Sequence, residues 1–189
     1  ISSTLMPAYF INLPAKDEDV AQARRVWSIV SGNGGEHYEA SINDRRISDS
    51  DSCLTWFYNV FTERMRVLSP DCSIYTSKTC FADTRLLLQV IVVVLSVHNQ
   101  RDAKFKIRLR KLCNSIELYR ITFYDLSVLG DALFHSLSTC LGEEYTSDID
   151  NSWKVLYSAF LSVVIASNCI KKASATSKLS HRSERLNGV

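Results

Sequence analysis

Leu129-Gly130-Asp131-Ala132-Leu133-Phe134-His135-Ser136-Leu137-Ser138-Thr139-Cys140-Leu141-Gly142 is the stretch that decides the fold. Leu129, Ala132, Leu133, Ser136, Leu137 and Cys140 recur at steps of three and four, so they share one face of a helix. The period predicts a helix over about Tyr124 to Leu141, with Gly142 ending it. Downstream, Thr146 or Ser147 can cap a further helix, with Asp148 and Asp150 placed where the dipole favours negative charge. Ile149, Trp153, Leu156, Tyr157, Phe160 and Val164 form its stripe, which fades near Cys169.

The same period runs upstream. Asp17 to Val30 reads as a first helix, with Val20, Ala23, Trp27 and Val30 on its apolar side and Gly32 as its stop. Gly34 to Ser50 is polar and rich in Gly, Ser and Asp, and reads as a long loop. Asp51 or Ser52 opens a helix carrying Leu54, Phe57, Tyr58, Phe61, Met65 and Leu68, which Pro70 ends. Phe81 to His98 reads as a central helix, apolar nearly all round over Leu86 to Val97. Its β-branched run, Ile91 to Val94, also suits a buried strand; its length and helical neighbours favour helix. Phe105, Leu109, Leu112, Ile116 and Tyr119 mark a fourth helix with basic residues between them, and Ile121 to Phe123 breaks it from the next. These readings give an all-α chain of six to seven helices in a single domain over residues 15–170, with the long loop at 32–52. Residues 1–14 read as an N-terminal extension and 171–189 as a basic flexible tail.

Composition agrees with a soluble all-α domain. The 189 residues suffice for one full core. Only 6 Gly and 3 Pro occur, fewer than a turn-rich β protein needs. The net charge of +2 gives no nucleic-acid signal, and the tail holds five cations, from Lys171 to Arg185, against Glu184 alone. The longest apolar run, Leu86 to Val97, is well short of the roughly 20 residues a bilayer requires, so no membrane span is expected. None of the 6 cysteines forms a Cys-x-x-Cys pair. Cys53, Cys113, Cys140 and Cys169 fall inside helical patterns as small hydrophobes, while Cys72 and Cys80 share a loop. Reduced thiols and a cytoplasmic location are expected. No phosphate-binding loop, nucleophile elbow or His-Glu-x-x-His occurs, so the chain reads as a non-enzyme.

Gly130 preceded by Leu129 and followed by the Leu133-Phe134 pair, Leu141-Gly142, the Tyr145-Thr146 cap, and Trp153 with Tyr157 together resemble the last two helices of protist and bacterial-type globins. Ser52-Cys53-Leu54 leading to Trp56-Phe57-Tyr58, Phe61 and Pro70 is similar to the second helix of that group, and Ala23 to Val30 with Trp27 to the first. The resemblance covers about Leu13 to Ile170. It implies a globin-like fold with a haem pocket between the third and fourth helices.

The resemblance also implies site positions. The proximal histidine would lie fourteen residues before Gly130, at Ile116, which has no lone pair for iron. The distal residue would lie thirteen after Pro70, at Asp83, which cannot donate a hydrogen bond unless protonated. The wedging Phe would fall near Thr76, beside Tyr75. Leu87 and Leu112 would line the same pocket. The domain is therefore expected to hold no haem and no metal, with Ile116 and Leu87 filling the space or an apolar small ligand taking it. Cys113, one turn before Ile116, is the alternative haem ligand. His135, His98, His37 and His181 lie elsewhere. A haem-free sensory or regulatory module is the expected role, with a homodimer or an attached signalling domain as partner. The alternatives are a globin binding oxygen or another diatomic gas through Cys113 and, more remotely, a bilin carrier.

Overall fold

A computed structural model describes residues 6–32, 34–44, 47–48, 51–70, 80–119 and 121–186, without the side chains of 80–84 and 168–186. Among the described residues all regular structure is helical: α1 (Asp17–Ser31), α2 (Glu36–Asn43), α3 (Cys53–Leu68), α4 (Cys80–Val94), α5 (Ala103–Leu118), α6 (Phe123–Leu141) and α7 (Ser147–Leu186), with 3-10 turns at Val97–Asn99 and Gly142–Glu144. The β-branched run of Ile91 to Val94 is helix, as its length and neighbours favour. None of these helices is long and apolar enough to cross a membrane.

The ends are fixed by side chains the sequence places there. Ser52 accepts from the Thr55 N–H at 3.1 Å, and Asp102 accepts from the Lys104 N–H at 3.1 Å. At the start of α6, Thr122 Oγ1 accepts from the Asp125 N–H at 3.2 Å, while the Asp125 carboxylate accepts from the Thr122 N–H at 2.8 Å. Gly142 ends α6 at φ 54, a backbone state that disfavours a side chain, and a Cβ there would run into the His37 ring.

α6 is the central element: twelve of its residues, from Asp125 to Leu141, are buried. It packs against α3, while α1 lies along α7 and α4 lies along α5. One contiguous core gathers Phe57, Met65, Leu87, Leu133, Trp153 and Tyr157 from four helices. Polar links tie the packed pairs. Ser152 on α7 bonds Asp19 and Gln22 of α1 at 3.1 and 2.8 Å, and Tyr157 Oη donates to the Leu126 carbonyl at 2.7 Å.

Three boundaries differ from the sequence reading. The expected loop at 32–52 contains α2, whose Tyr38 and Ser41 are buried. Tyr38 packs with Ile47 and Cys53, donates to the Asp51 carbonyl, and its helix leans on α6. Burial of that one ring supports a helix whose composition reads as loop. Of the expected extension at 1–14, residues 6–14 are described and are not merely appended, because Tyr9 belongs to the core and donates to the Ser127 carbonyl at 2.9 Å. The Ile11 N–H also donates to Ser158 Oγ at 3.0 Å. Finally, the tail expected to be flexible from residue 171 continues α7 to Leu186. Few helix breakers stand between Cys169 and Leu186, so local propensity carries the helix past the end of its apolar stripe.

Candidate functional site

The region that the resemblance marks lies between α4 and α5. Leu87 on α4 and Leu112 and Ile116 on α5 are all buried in the main core, and Cys113 is buried beside them on α5. Ile116 is 4% exposed and Leu112 wholly enclosed. Ser115, next to Ile116, donates to Gln89 Oε1 of α4 at 3.0 Å, so the two helices are tied directly at the expected ligand level. α4 and α5 are in contact. Asp83 lies in the first turn of α4, but its side chain is outside the described residues, as is Tyr75 altogether. The same holds for Cys72 and for the side chains of Cys80, Cys169 and His181.

Iron needs a lone pair on a side chain facing it, and Ile116, at the position the resemblance assigns to the iron ligand, is a hydrocarbon. Among the described residues no three His, Cys, Asp or Glu side chains stand together as a metal set. His98 sits on the 3-10 turn after α4, and its Nδ1 is buried with no hydrogen-bond partner among the described residues.

Two clefts lie beside α6. His135 is exposed on α6 where the two meet. The larger, of about 520 Å³, is lined by Trp56, Asn59, Glu63 and Arg64 of α3. The smaller, of about 420 Å³, runs to Tyr145 and Asp150 at the start of α7. Their electrostatics are coupled through Arg64. Desolvation, then the Arg64 guanidinium, hold the His135 imidazole below its usual range. Desolvation raises the Asp131 carboxyl, while Arg64 and Lys154 draw it back. Lys154 in turn pairs with Asp150, which accepts from Tyr145 Oη at 3.1 Å. This network joins α3, α6 and α7 at the surface. Among the described residues it contains no nucleophile aligned with a base.

A second cluster was not foreseen from sequence. Cys53 opens α3 and Cys140 closes α6, both buried, with Glu144 close by. Burial, helped by the Glu144 carboxylate, pushes the Cys53 thiol up to about 11, and burial beside Cys53 pushes Cys140 up further. A raised value keeps the unreactive thiol form at neutral pH. A disulfide exchange reagent at pH 7 is therefore expected to leave both unlabelled in the native fold and to label both once denaturant is added. Rapid native labelling of Cys53 would contradict the buried geometry. The available sequence signal was the position of each cysteine on the apolar face of its helix; their proximity depends on how α3 crosses α6.

No family model matches this chain, and no curated protein matches it.

Proposed function

We propose that the chain is a haem-free module of globin-like plan that acts through its surfaces, as a regulatory or protein-interaction domain, with a second copy or an attached signalling domain as partner. One observation carries the reading: the position the resemblance assigns to the iron ligand is a buried isoleucine in a shared hydrocarbon core. The Ser115–Gln89 hydrogen bond beside it, drawing α4 onto α5, supports side-chain filling over a bound apolar ligand. Filling that space with side chains preserves dispersion contacts that a vacated pocket forfeits.

Absorption spectroscopy with added hemin tests the reading. The wild type is expected to give no stable Soret band. Ile116→His is expected to lose about 2–4 kcal/mol of stability, since it places a polar ring among apolar side chains. It too should take up no hemin unless α4 and α5 separate. A Soret band from the wild type would overturn the proposal, and its loss in Cys113→Ser would then assign the ligand. Light scattering at high concentration checks the partner: a monomer removes the homodimer and leaves the attached domain.

A further inference from the structure

We propose that the outward face of the α4–α5 pair is a docking surface for an anionic lipid bilayer, a role independent of whether haem binds. Between Arg101 and Lys111 the chain places six cations, Arg101, Lys104, Lys106, Arg108, Arg110 and Lys111, and every one is exposed. The only acid in that stretch, Asp102, accepts the Lys104 backbone N–H at 3.1 Å as the cap of α5. No ion pair engages these cations among the described residues.

This arrangement is unfavourable for the helix itself. Lys104 and Lys106 sit in the first turn, where the dipole disfavours positive charge. Lys104 with Arg108, and Lys106 with Arg110, are like charges four residues apart. A solvated face needs no such concentration of one sign, and a local conflict of this kind is the mark of a functional surface. An external array of negative charge offsets it.

The apolar residues on the same face select among anionic partners. Lys104, Ile107, Lys111 and Leu118 recur at steps of three, four and seven, opposite buried Phe105, Leu112 and Ile116. Ile107 is 47% and Leu118 75% exposed. On α4, Arg85, Leu88 and Val92 recur in the same way, with Leu88 37% and Val92 42% exposed. Lys104, Arg108 and Lys111 share the face of Ser115, and Arg85 and Val92 that of Gln89, so the Ser115–Gln89 bond brings these two faces together. Duplex phosphates offer nothing to four exposed aliphatic side chains. A lipid headgroup layer offers phosphates and carboxylates to the cations and hydrocarbon just beneath to the tips.

Sedimentation with vesicles tests this on the full chain. The probes are phosphatidylcholine alone and phosphatidylcholine with about one third phosphatidylserine. Binding is expected to the mixed vesicles only, and to weaken as salt is raised. The triple variant Lys104→Gln/Arg108→Gln/Lys111→Gln should weaken binding roughly hundredfold, at about fivefold for each cation near an anionic surface. Leu88→Ser/Ile107→Ser should weaken it about tenfold, because less apolar area enters the interface. All five side chains are exposed, so both variants should keep the helical dichroism of the wild type, and the triple variant its melting temperature as well. Equal binding to neutral vesicles, or none to either, overturns the proposal. So does tighter binding to duplex DNA that Leu88→Ser/Ile107→Ser leaves untouched. Loss of binding in Lys171→Gln/Lys172→Gln/Lys178→Gln, with the α5 variant unaffected, would place the surface in the tail instead. A dimer that buries Leu88 would make a second copy the occupant.

Discussion

Tyr157→Ala is expected to destabilise the protein by about 4 kcal/mol, which for a chain of this size lowers the melting temperature by roughly 10 °C. Tyr157 is completely buried on α7. Its ring meets Tyr9, Phe134 and Phe160 edge-on, at centroid distances of 6.0, 5.6 and 5.1 Å. Its hydroxyl donates to the Leu126 carbonyl of α6. Truncation therefore removes the transfer free energy of an aromatic ring, leaves a cavity and breaks three edge-to-face pairs. Tyr157→Phe removes only the hydroxyl and is expected to lose about 1 kcal/mol, the usual net worth of one hydrogen bond. Chemical denaturation of the two variants separates ring packing from hydrogen bonding. Equal losses would mean the bond to Leu126, not the aromatic cluster, holds α7 to α6.

Gly130→Val is expected to lose about 3 kcal/mol or more, for the opposite reason. A Cβ at residue 130 would lie 2.7 Å from Tyr157 Cε1 and run into the Tyr9 hydroxyl. Glycine inside a helix ordinarily costs up to about 1 kcal/mol against alanine, so Gly130→Ala recovers propensity while overpacking takes away about 1–3 kcal/mol. The collision is larger, and valine adds a second branch to it. Of the two rings only Tyr9 can retreat, since it stands outside the helices and is held by few bonds. Introducing Tyr9→Ala beside Gly130→Val should therefore recover part of the loss, a coupling of about 1–2 kcal/mol in a double-mutant cycle. Strict additivity would show that Tyr9 does not cover Gly130 in solution.

The helices with long apolar stripes were legible in sequence. Phe57, Phe61 and Met65 on α3, Phe105, Leu112 and Ile116 on α5, and Trp153, Tyr157 and Phe160 on α7 are buried as their spacing requires. Periodicity reports a face, and these faces are wide enough to speak locally. α2 was not legible, because its eight residues carry only Tyr38 and Ile42 as large apolar side chains, and the residues they pack with, Ile47, Cys53 and Trp56, lie outside the helix. The same pair, four apart behind Glu36 and Glu39, is the faint signal that was available. Tyr9 was hidden for a related reason: its partners, Ser127, Phe134 and Tyr157, are all more than a hundred residues away. At the candidate site the burial of Ile116, Leu112 and Leu87 was readable, and the closeness of Cys53 to Cys140 was not. The cations of α5 were visible one by one, yet a near-neutral net charge masked their concentration on one exposed helix.

The docking of Tyr9 onto residues 127 and beyond sets an order of events during synthesis. The segment around Tyr9 leaves the ribosome before any of its binding partners exist. Ser127 follows it 118 residues later, which at about 5–20 residues per second is a wait of roughly 6 to 24 seconds. For that interval Tyr9 and Phe10 are unsheltered, and chaperones or proteases at the exit tunnel meet them first. Tyr9 can therefore close over Gly130 only once α6 has been made, and the contact joins segments synthesised at widely separated times.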